Sequence, residues 1–276
     1  MTVKVRSGGA LAVATLVVFT LGAVHLATKP VIPAVVVRTT DAHLMLSPSV
    51  GARVDRFFHD RPPTDRTRNP KLMALTFDDG PYPIETPLLL DTLAELHVPA
   101  TFFLIGHDTD LYPALAKRIA AEGHEIANHT QTHPYGFDTL SARQVTRELA
   151  DGARTLERYV RDPAIRTIMR PPHGRFTEST VVAAQRAGYH VVLWNDDPGD
   201  WRSVSPATLD EHMRDNATAP DIVLLHSGRL NTVQALPAIV AHFRAAGYAF
   251  VTVGQLMARV PARAIVHPLK LRIPAS

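Results

Sequence analysis

The stretch ANHTQTHPY, residues 127–135, sets His129 and His133 four positions apart, and DDGP, residues 78–81, sets Asp78 and Asp79 side by side. Two imidazoles and one carboxylate make a three-ligand metal site with open positions, the arrangement that a catalytic rather than a structural ion requires. The chain has no cysteine, which excludes thiol catalysis, thiolate metal sites and disulfides, so any metal must be held by His, Asp or Glu. The near pair His129 and His133 supplies two ligands and either Asp79 or Asp78 the third. A divalent cation with positive charge left over acidifies a bound water toward neutral pH, and the remaining Asp is then free to take its proton. His226, in LLHSG (224–228), can act as the acid that protonates a leaving group. Each feature also has a bland explanation. Asp-Gly-Pro is ordinary turn chemistry, 14 histidines make pairs at i, i+4 arise by chance, and a His ending an apolar strand can be a satisfied core residue.

What favours chemistry is where the elements put these residues. From Lys71 onward, short apolar runs that read as buried strands alternate with longer amphipathic stretches that read as helices. The strand candidates are 72–77, 100–105, 125–128, 166–169, 190–194, 221–225 and 249–253. The clearest helix is 141–160, where Val145, Leu149, Ala153, Leu156 and Val160 recur at spacings of three and four. Gly123, Gly188 and Gly247 stand where a left-handed residue ends a helix. Such alternation predicts an α/β fold with a parallel sheet, either a barrel or an open doubly wound sheet. In both, the site is built from loops at the C-terminal ends of the strands. DDGP follows the first strand, HTQTH (129–133) the third, RPPHG (170–174) the fourth, NDDPGDW (195–201) the fifth and HSG (226–228) the sixth. Five loops on one rim thus carry Asp, His or Arg.

TFDDGP (76–81), NHTQTH (128–133), RPPHG (170–174), DPGDW (197–201) and LLHSG (224–228), in this order, resemble the five motifs of the NodB-homology polysaccharide deacetylases, carbohydrate esterase family four. ATFFLIG (100–106) is similar to the family's second strand. The resemblance spans residues 71–256 and implies a deformed (β/α) barrel with about seven parallel strands. It implies Asp78 as general base, and Asp79, His129 and His133 as ligands of a divalent metal, commonly zinc, with cobalt, manganese or nickel as substitutes. His226 becomes the general acid, Asp200 its partner favouring the protonated ring, and Arg170 the residue that holds Asp78. Trp201 and Leu224 become apolar walls near the acetyl methyl, and the backbone N–H of His173 takes the oxyanion position. His173 stands where the family often has Tyr, and the first Asp of DPGDW is variable, which puts more weight on Asp200 than on Asp197. The implied activity is removal of N-acetyl groups from an amino-sugar polymer.

The remainder of the 276 residues sets the context. Lys4 and Arg6 precede an apolar run at residues 10–27, long enough to cross a bilayer as a helix and to hold the N-terminus in the cytoplasm. A cleaved signal peptide is the competing expectation. The organisation expected is therefore an N-terminal membrane anchor or signal segment at 1–28, a Pro- and Arg-rich stalk at 29–70, the catalytic domain at 71–256 and an extended tail at 257–276. An anchored enzyme facing outward meets cell-wall glycan first, which makes peptidoglycan the expected partner, with O-acetylated polymers and chitin oligomers as alternatives. Lys+Arg 29 against Asp+Glu 26 is a mixed surface rather than a basic stripe, which argues against nucleic acid. No protein partner is inferred. Two readings from other classes stand beside this one: a silent glycan-binding protein on the same fold, and a non-haem iron oxygenase, whose site also uses two His and one carboxylate.

Overall fold

Among the described residues, seven parallel strands alternate with eight α-helices. In chain order they are β1 (Leu72–Asp78), α1 (Glu85–Leu96), β2 (Thr101–Leu104), α2 (Gly106–Leu111), α3 (Pro113–Ala121), β3 (Glu125–Asn128), α4 (Ala142–Glu157), β4 (Ile168–Met169), α5 (Glu178–Arg186), β5 (His190–Val191), α6 (Pro206–Asn216), β6 (Asp221–His226), α7 (Leu230–Ala245), β7 (Ala249–Phe250) and α8 (Val253–Arg259). The computed structural model describes residues 70–202 and 204–260. The expected anchor or signal segment, the stalk up to residue 69 and residues 261–276 of the expected tail lie outside the described residues, while residues 257–259 of that tail are helical, as the end of α8. Among the described residues, no helix is long and apolar enough to cross a membrane.

The sheet runs β5-β4-β3-β2-β1-β6, and β7 pairs with the first residues of β1. Past β5 the chain reaches β6: Asn195 N–H donates to Ile222 O at 3.0 Å and Leu224 N–H to Asp196 O at 2.9 Å. The two edges of the curled sheet therefore meet at a single bridge, Asp196 with Val223. The parallel α/β class is as expected, but the architecture is a curled half-barrel rather than a barrel with a continuous ladder. Two expected strands are shorter than their apolar runs for identifiable reasons. Residues Pro163–Arg166 form a 3₁₀ turn capped by Asp162, so β4 begins only at Ile168. After β5, the carbonyls of Val192 and Leu193 accept from the Arg170 guanidinium at 3.2 and 2.9 Å instead of from a neighbouring strand. Likewise 251–253 leave the seventh strand, because Thr252 caps α8 and Val253 opens it.

Successive residues of a strand face opposite sides of the sheet, and this sorts the core into two layers. Met73, Leu75, Phe77, Phe102, Leu104, Ile126, Val223 and Leu225 pack outward against Leu89, Leu93, Ile119, Leu236 and other helix residues. Leu72, Ala74, Phe103, Ala127, Ile168, Ile222 and Leu224 share the inner cluster with Trp194. Continuing the inner columns leads from Ala74 through Thr76 to Asp78, and by two residues from Ala127, Ile168 and Leu224 to His129, Arg170 and His226. The helix α4 carries the expected face, with Val145, Leu149, Ala153 and Leu156 buried, and starts with a reciprocal capping box between Ser141 and Gln144. Gly123, Gly188 and Gly247 have φ of 83°, 97° and 84° and close α3, α5 and α7 as expected.

Candidate active site

Arg170 is the largest fully buried side chain among the described residues, and burying a guanidinium is costly unless every donor is used. Here Nη1 donates to Asp78 Oδ1 at 2.6 Å and to Thr76 Oγ1 at 2.8 Å. Nε and Nη2 take the two carbonyls beyond β5 already described. The planar group lies 4.1 Å from the Phe103 ring centroid and 5.4 Å from that of Trp194, a stacking that the guanidinium favours. Burial raises the pKa of Asp78, and the charge of Arg170 pulls it back. A carboxyl moved up toward neutral pH is suited to taking a proton there.

Asp79 comes next in the chain with a left-handed φ of 68°. Its Oδ1 is 3.6 Å from His129 Nε2 and 3.3 Å from His133 Nε2. Ligands about 2.0–2.1 Å from a tetrahedral ion lie roughly 3.3 Å apart, so the donor set fits a small divalent cation. Among the described residues, Asp79, His129 and His133 are the one group of three such side chains with donor atoms mutually within 4.8 Å. The HTQTH stretch is an irregular loop, not a helix face, so the i, i+4 spacing works by another route. Left-handed φ at Thr130 (69°) and His133 (52°) folds the loop back on itself. The Nδ1–H of His129 donates to Arg170 O at 2.9 Å, a hydrogen bond that fixes the tautomer and leaves the Nε2 lone pair free for a metal. Burial, then the neighbouring His133, lowers the His129 pKa to about 3, which keeps the ring neutral as a ligand must be.

His226 ends β6 as the register partner of Asp78 on β1. Its Nδ1 is 2.7 Å from Asp200 Oδ1, and its backbone N–H donates to Asp200 Oδ2 at 2.8 Å. Thr232 Oγ1 donates to the same Oδ2 at 2.6 Å, so the buried carboxylate is held from three sides. Burial works against a charged His226, but the hydrogen bond and charge of Asp200 win and hold its pKa up at about 9. Asp197, by contrast, accepts from Gly199 N–H within its own turn. Leu224 is buried two residues below His226 on the inner face, Trp201 is exposed next to Asp200, and His173 has φ 56° with its ring 4.4 Å from that of His133.

Backbone strain is concentrated at this rim. Of the five non-glycine residues with positive φ among those described, Asp79, Thr130, His133 and His173 belong to it, while His97 caps α1. Such conformations cost free energy and persist where the surroundings over-determine them. Two motif glycines are explained by neighbours rather than by turns alone. A Cβ on Gly174 would lie 2.5 Å from the Trp194 ring, and one on Gly228 would lie 2.6 Å from that of Tyr82.

The residues that hold the His loop were not apparent in the sequence. Glu148 of α4 accepts from the backbone N–H groups of Gln131 and Thr132 at 3.1 and 2.9 Å and from Thr132 Oγ1 at 3.0 Å. One turn on, Gly152 lets the loop approach the helix: a Cβ there would meet Thr130 C at 2.9 Å and Gln131 N at 3.1 Å. Asn128 Oδ1 accepts from Thr130 N–H at 2.8 Å, while its amide donates to Leu149 O at 2.9 Å. The available signal was Gly152 itself, since a glycine inside a strong helix pattern marks close packing.

The sequence profile of the family described as Polysaccharide deacetylase matches residues 65–192. A peptidoglycan-N-acetylglucosamine deacetylase of Bacillus cereus is 40% identical over 194 residues, 68% of this chain and 89% of the relative. A chitooligosaccharide deacetylase of Sinorhizobium fredii is 38% identical over 154 residues, 56% of this chain and 71% of the relative. Among solved structures, the Bc1960 peptidoglycan N-acetylglucosamine deacetylase in complex with 4-naphthalen-1-yl-N-oxidanyl-benzamide superposes with a TM-score of 0.65 at 33% identity, covering 69% of this chain and 89% of the other.

Proposed function

Because this chain belongs to the polysaccharide deacetylase family, we propose that it is a metal-dependent hydrolase that removes N-acetyl groups from an amino-sugar polysaccharide, with peptidoglycan as the physiological polymer and chitin oligomers as usable substrates. The observation that carries this reading is the pairing of Asp78 and His226 as register partners beside the Asp79, His129 and His133 cluster. Amide hydrolysis needs a base for water and an acid for the departing amine, which is too basic to leave unprotonated.

Asp79, His129 and His133 would hold the ion, zinc by preference and cobalt, manganese or nickel as substitutes. When bound, it polarises the acetyl carbonyl and lowers the pKa of water. Asp78, held by Arg170, accepts the proton of the attacking water. The oxyanion of the tetrahedral intermediate meets the backbone N–H of His173. His226, kept protonated by Asp200, gives its proton to the amine as the C–N bond breaks, and acetate and a free amino sugar result. Trp201 and Leu224 supply apolar surface for the acetyl methyl. The positively flanked apolar run at 10–27 supports placing this chemistry at the membrane, facing the wall.

The test is acetate release from N-acetylglucosamine oligomers and from peptidoglycan by the protein after chelation and after zinc or cobalt is restored, with Asp78→Asn alongside. Metal-dependent release that the substitution abolishes is the expected result. Stoichiometric metal without turnover on any acetylated glycan would overturn the reading in favour of a silent binding protein.

A further inference from the structure

Tyr135 lies two residues beyond His133 and is 72% exposed, the most exposed aromatic ring among the described residues. Exposure of that degree normally leaves a ring free to move, yet this one rests against two neighbours. The Arg175 guanidinium lies 5.1 Å from its centroid. The His173 ring lies 5.0 Å away at 59°. Arg175 is itself fixed, since Nε and Nη2 donate to the two oxygens of Asp138 at 3.0 Å each. The hydrogen bond from Arg175 lowers the pKa of Asp138, as a bidentate pair should. Asp138 in turn sits in a 3₁₀ turn whose first residue, Phe137, is anchored in the core.

The array is continuous with the proposed metal site. Ring centroids step from His129 to His133 in 4.7 Å, to His173 in 4.4 Å and to Tyr135 in 5.0 Å. Packing within the fold gains little from a ring left this wet, so its rigid mounting needs another account. A held, solvent-facing aromatic next to a reaction centre is a pre-organised contact for a ligand that brings its own apolar face, because the ordering entropy is already spent. Pyranose rings have such a face: their axial C–H bonds carry slight positive charge, which complements the negative face of the phenol ring.

Resting on the deacetylase reading, we propose that Tyr135, positioned by His173 and by an Arg175 that Asp138 holds, is a stacking platform for the sugar unit adjacent to the one being deacetylated. The enzyme therefore gains affinity from oligomers and polymers that short substrates do not realise. Tyr135 acts as a specificity residue, distinct from the groups that handle protons.

The experiment compares kcat/KM on N-acetylglucosamine and its oligomers of two to six units for the zinc-loaded full chain and for Tyr135→Ala, Tyr135→Phe and Tyr135→Trp, together with equilibrium binding of the pentamer by calorimetry. We expect Tyr135→Ala to lose roughly tenfold, about 1.4 kcal/mol, on dimer to hexamer through KM, with less than a twofold change on the monosaccharide and unchanged zinc content. The Phe and Trp variants should retain wild-type length dependence. An equal loss at every length, or none, overturns the platform. Wild-type protein that releases no acetate from any oligomer defeats the deacetylase reading itself; pentamer binding weakened by Tyr135→Ala would then still support the platform, and unaltered or absent binding would overturn it.

Discussion

Arg170 and Asp78 are joined at 2.6 Å between β4 and β1, two strands that are not neighbours in the sheet. The guanidinium reaches across the inside of the curl and ties the β1 carboxylate to the carbonyls past β5. Removing one partner of a buried pair strands the other, at about 3–5 kcal/mol. Arg170→Met should lower unfolding stability by that order in denaturant titrations. Arg170→Lys is not conservative here, because an ammonium cannot serve Asp78, Thr76, Val192 and Leu193 from one plane. It should fold with reduced stability and move the acid limb of kcat/KM to higher pH, since burial still raises Asp78 while the charge opposing it is less well placed.

The His226–Asp200 pair predicts a titration with a definite sign. The folded pKa of His226 is held up at about 9, above the ordinary value of 6.5. Its contribution to stability is therefore complete below pH 6.5 and fades as pH rises through about 9. The acid form needed for catalysis fades in the same window. Asp200→Asn removes the largest of the causes that raise the pKa and leaves burial, which lowers it, opposed only by the charges of Asp78 and Asp79. An NMR titration of the metal-free protein should move from a midpoint near 9 to a clearly lower one, and activity should be lost more at pH 8 than at pH 6. A variant whose His226 still titrates near 9 would refute the role given to Asp200.

Replacement of His129 or His133 by Ala should reduce zinc content to background while the circular dichroism spectrum stays native, since both rings sit on an irregular loop. Between the two, His129→Ala should also cost stability, because that ring is buried and bonded to Arg170 O, whereas His133 is partly exposed. Metal analysis beside thermal melts separates the two effects; full occupancy in either variant would sink the ligand assignment.

Glu148 touches no reacting group, and its predicted effect is on the loop. Partners that orient metal ligands are commonly worth 10–100-fold in metal affinity. Glu148→Ala should weaken zinc binding by about that factor in a chelator competition, with a melting temperature for the metal-free protein close to wild type. Glu148→Gln, which keeps an acceptor oxygen, should recover part of the affinity. Gly152→Ala should act on the same loop by pushing on Thr130 and Gln131.

The alternation of apolar strands and amphipathic helices, the five chemistry-bearing loops and the cysteine-free ligand set could all be read from the chain alone, because they depend on local pattern and residue type. The order of loops on one rim followed from the direction of parallel strands. Tertiary structure decided the rest. How long β4 runs depended on the 3₁₀ turn that Asp162 caps before it, and how long β5 runs depended on Arg170 capturing the carbonyls of Val192 and Leu193, 22 and 23 residues away. The i, i+4 histidines converge on Asp79 through left-handed turns at Thr130 and His133, held by Glu148 from a helix that follows in the chain, rather than through a helical face. Nothing in the spacing of a glutamate on α4 says which backbone N–H groups it will meet. A hydrogen bond between distant segments exists only once packing has brought them together, and so do the pKa values of Asp78, His129 and His226, which depend on the burial and neighbours that the fold creates.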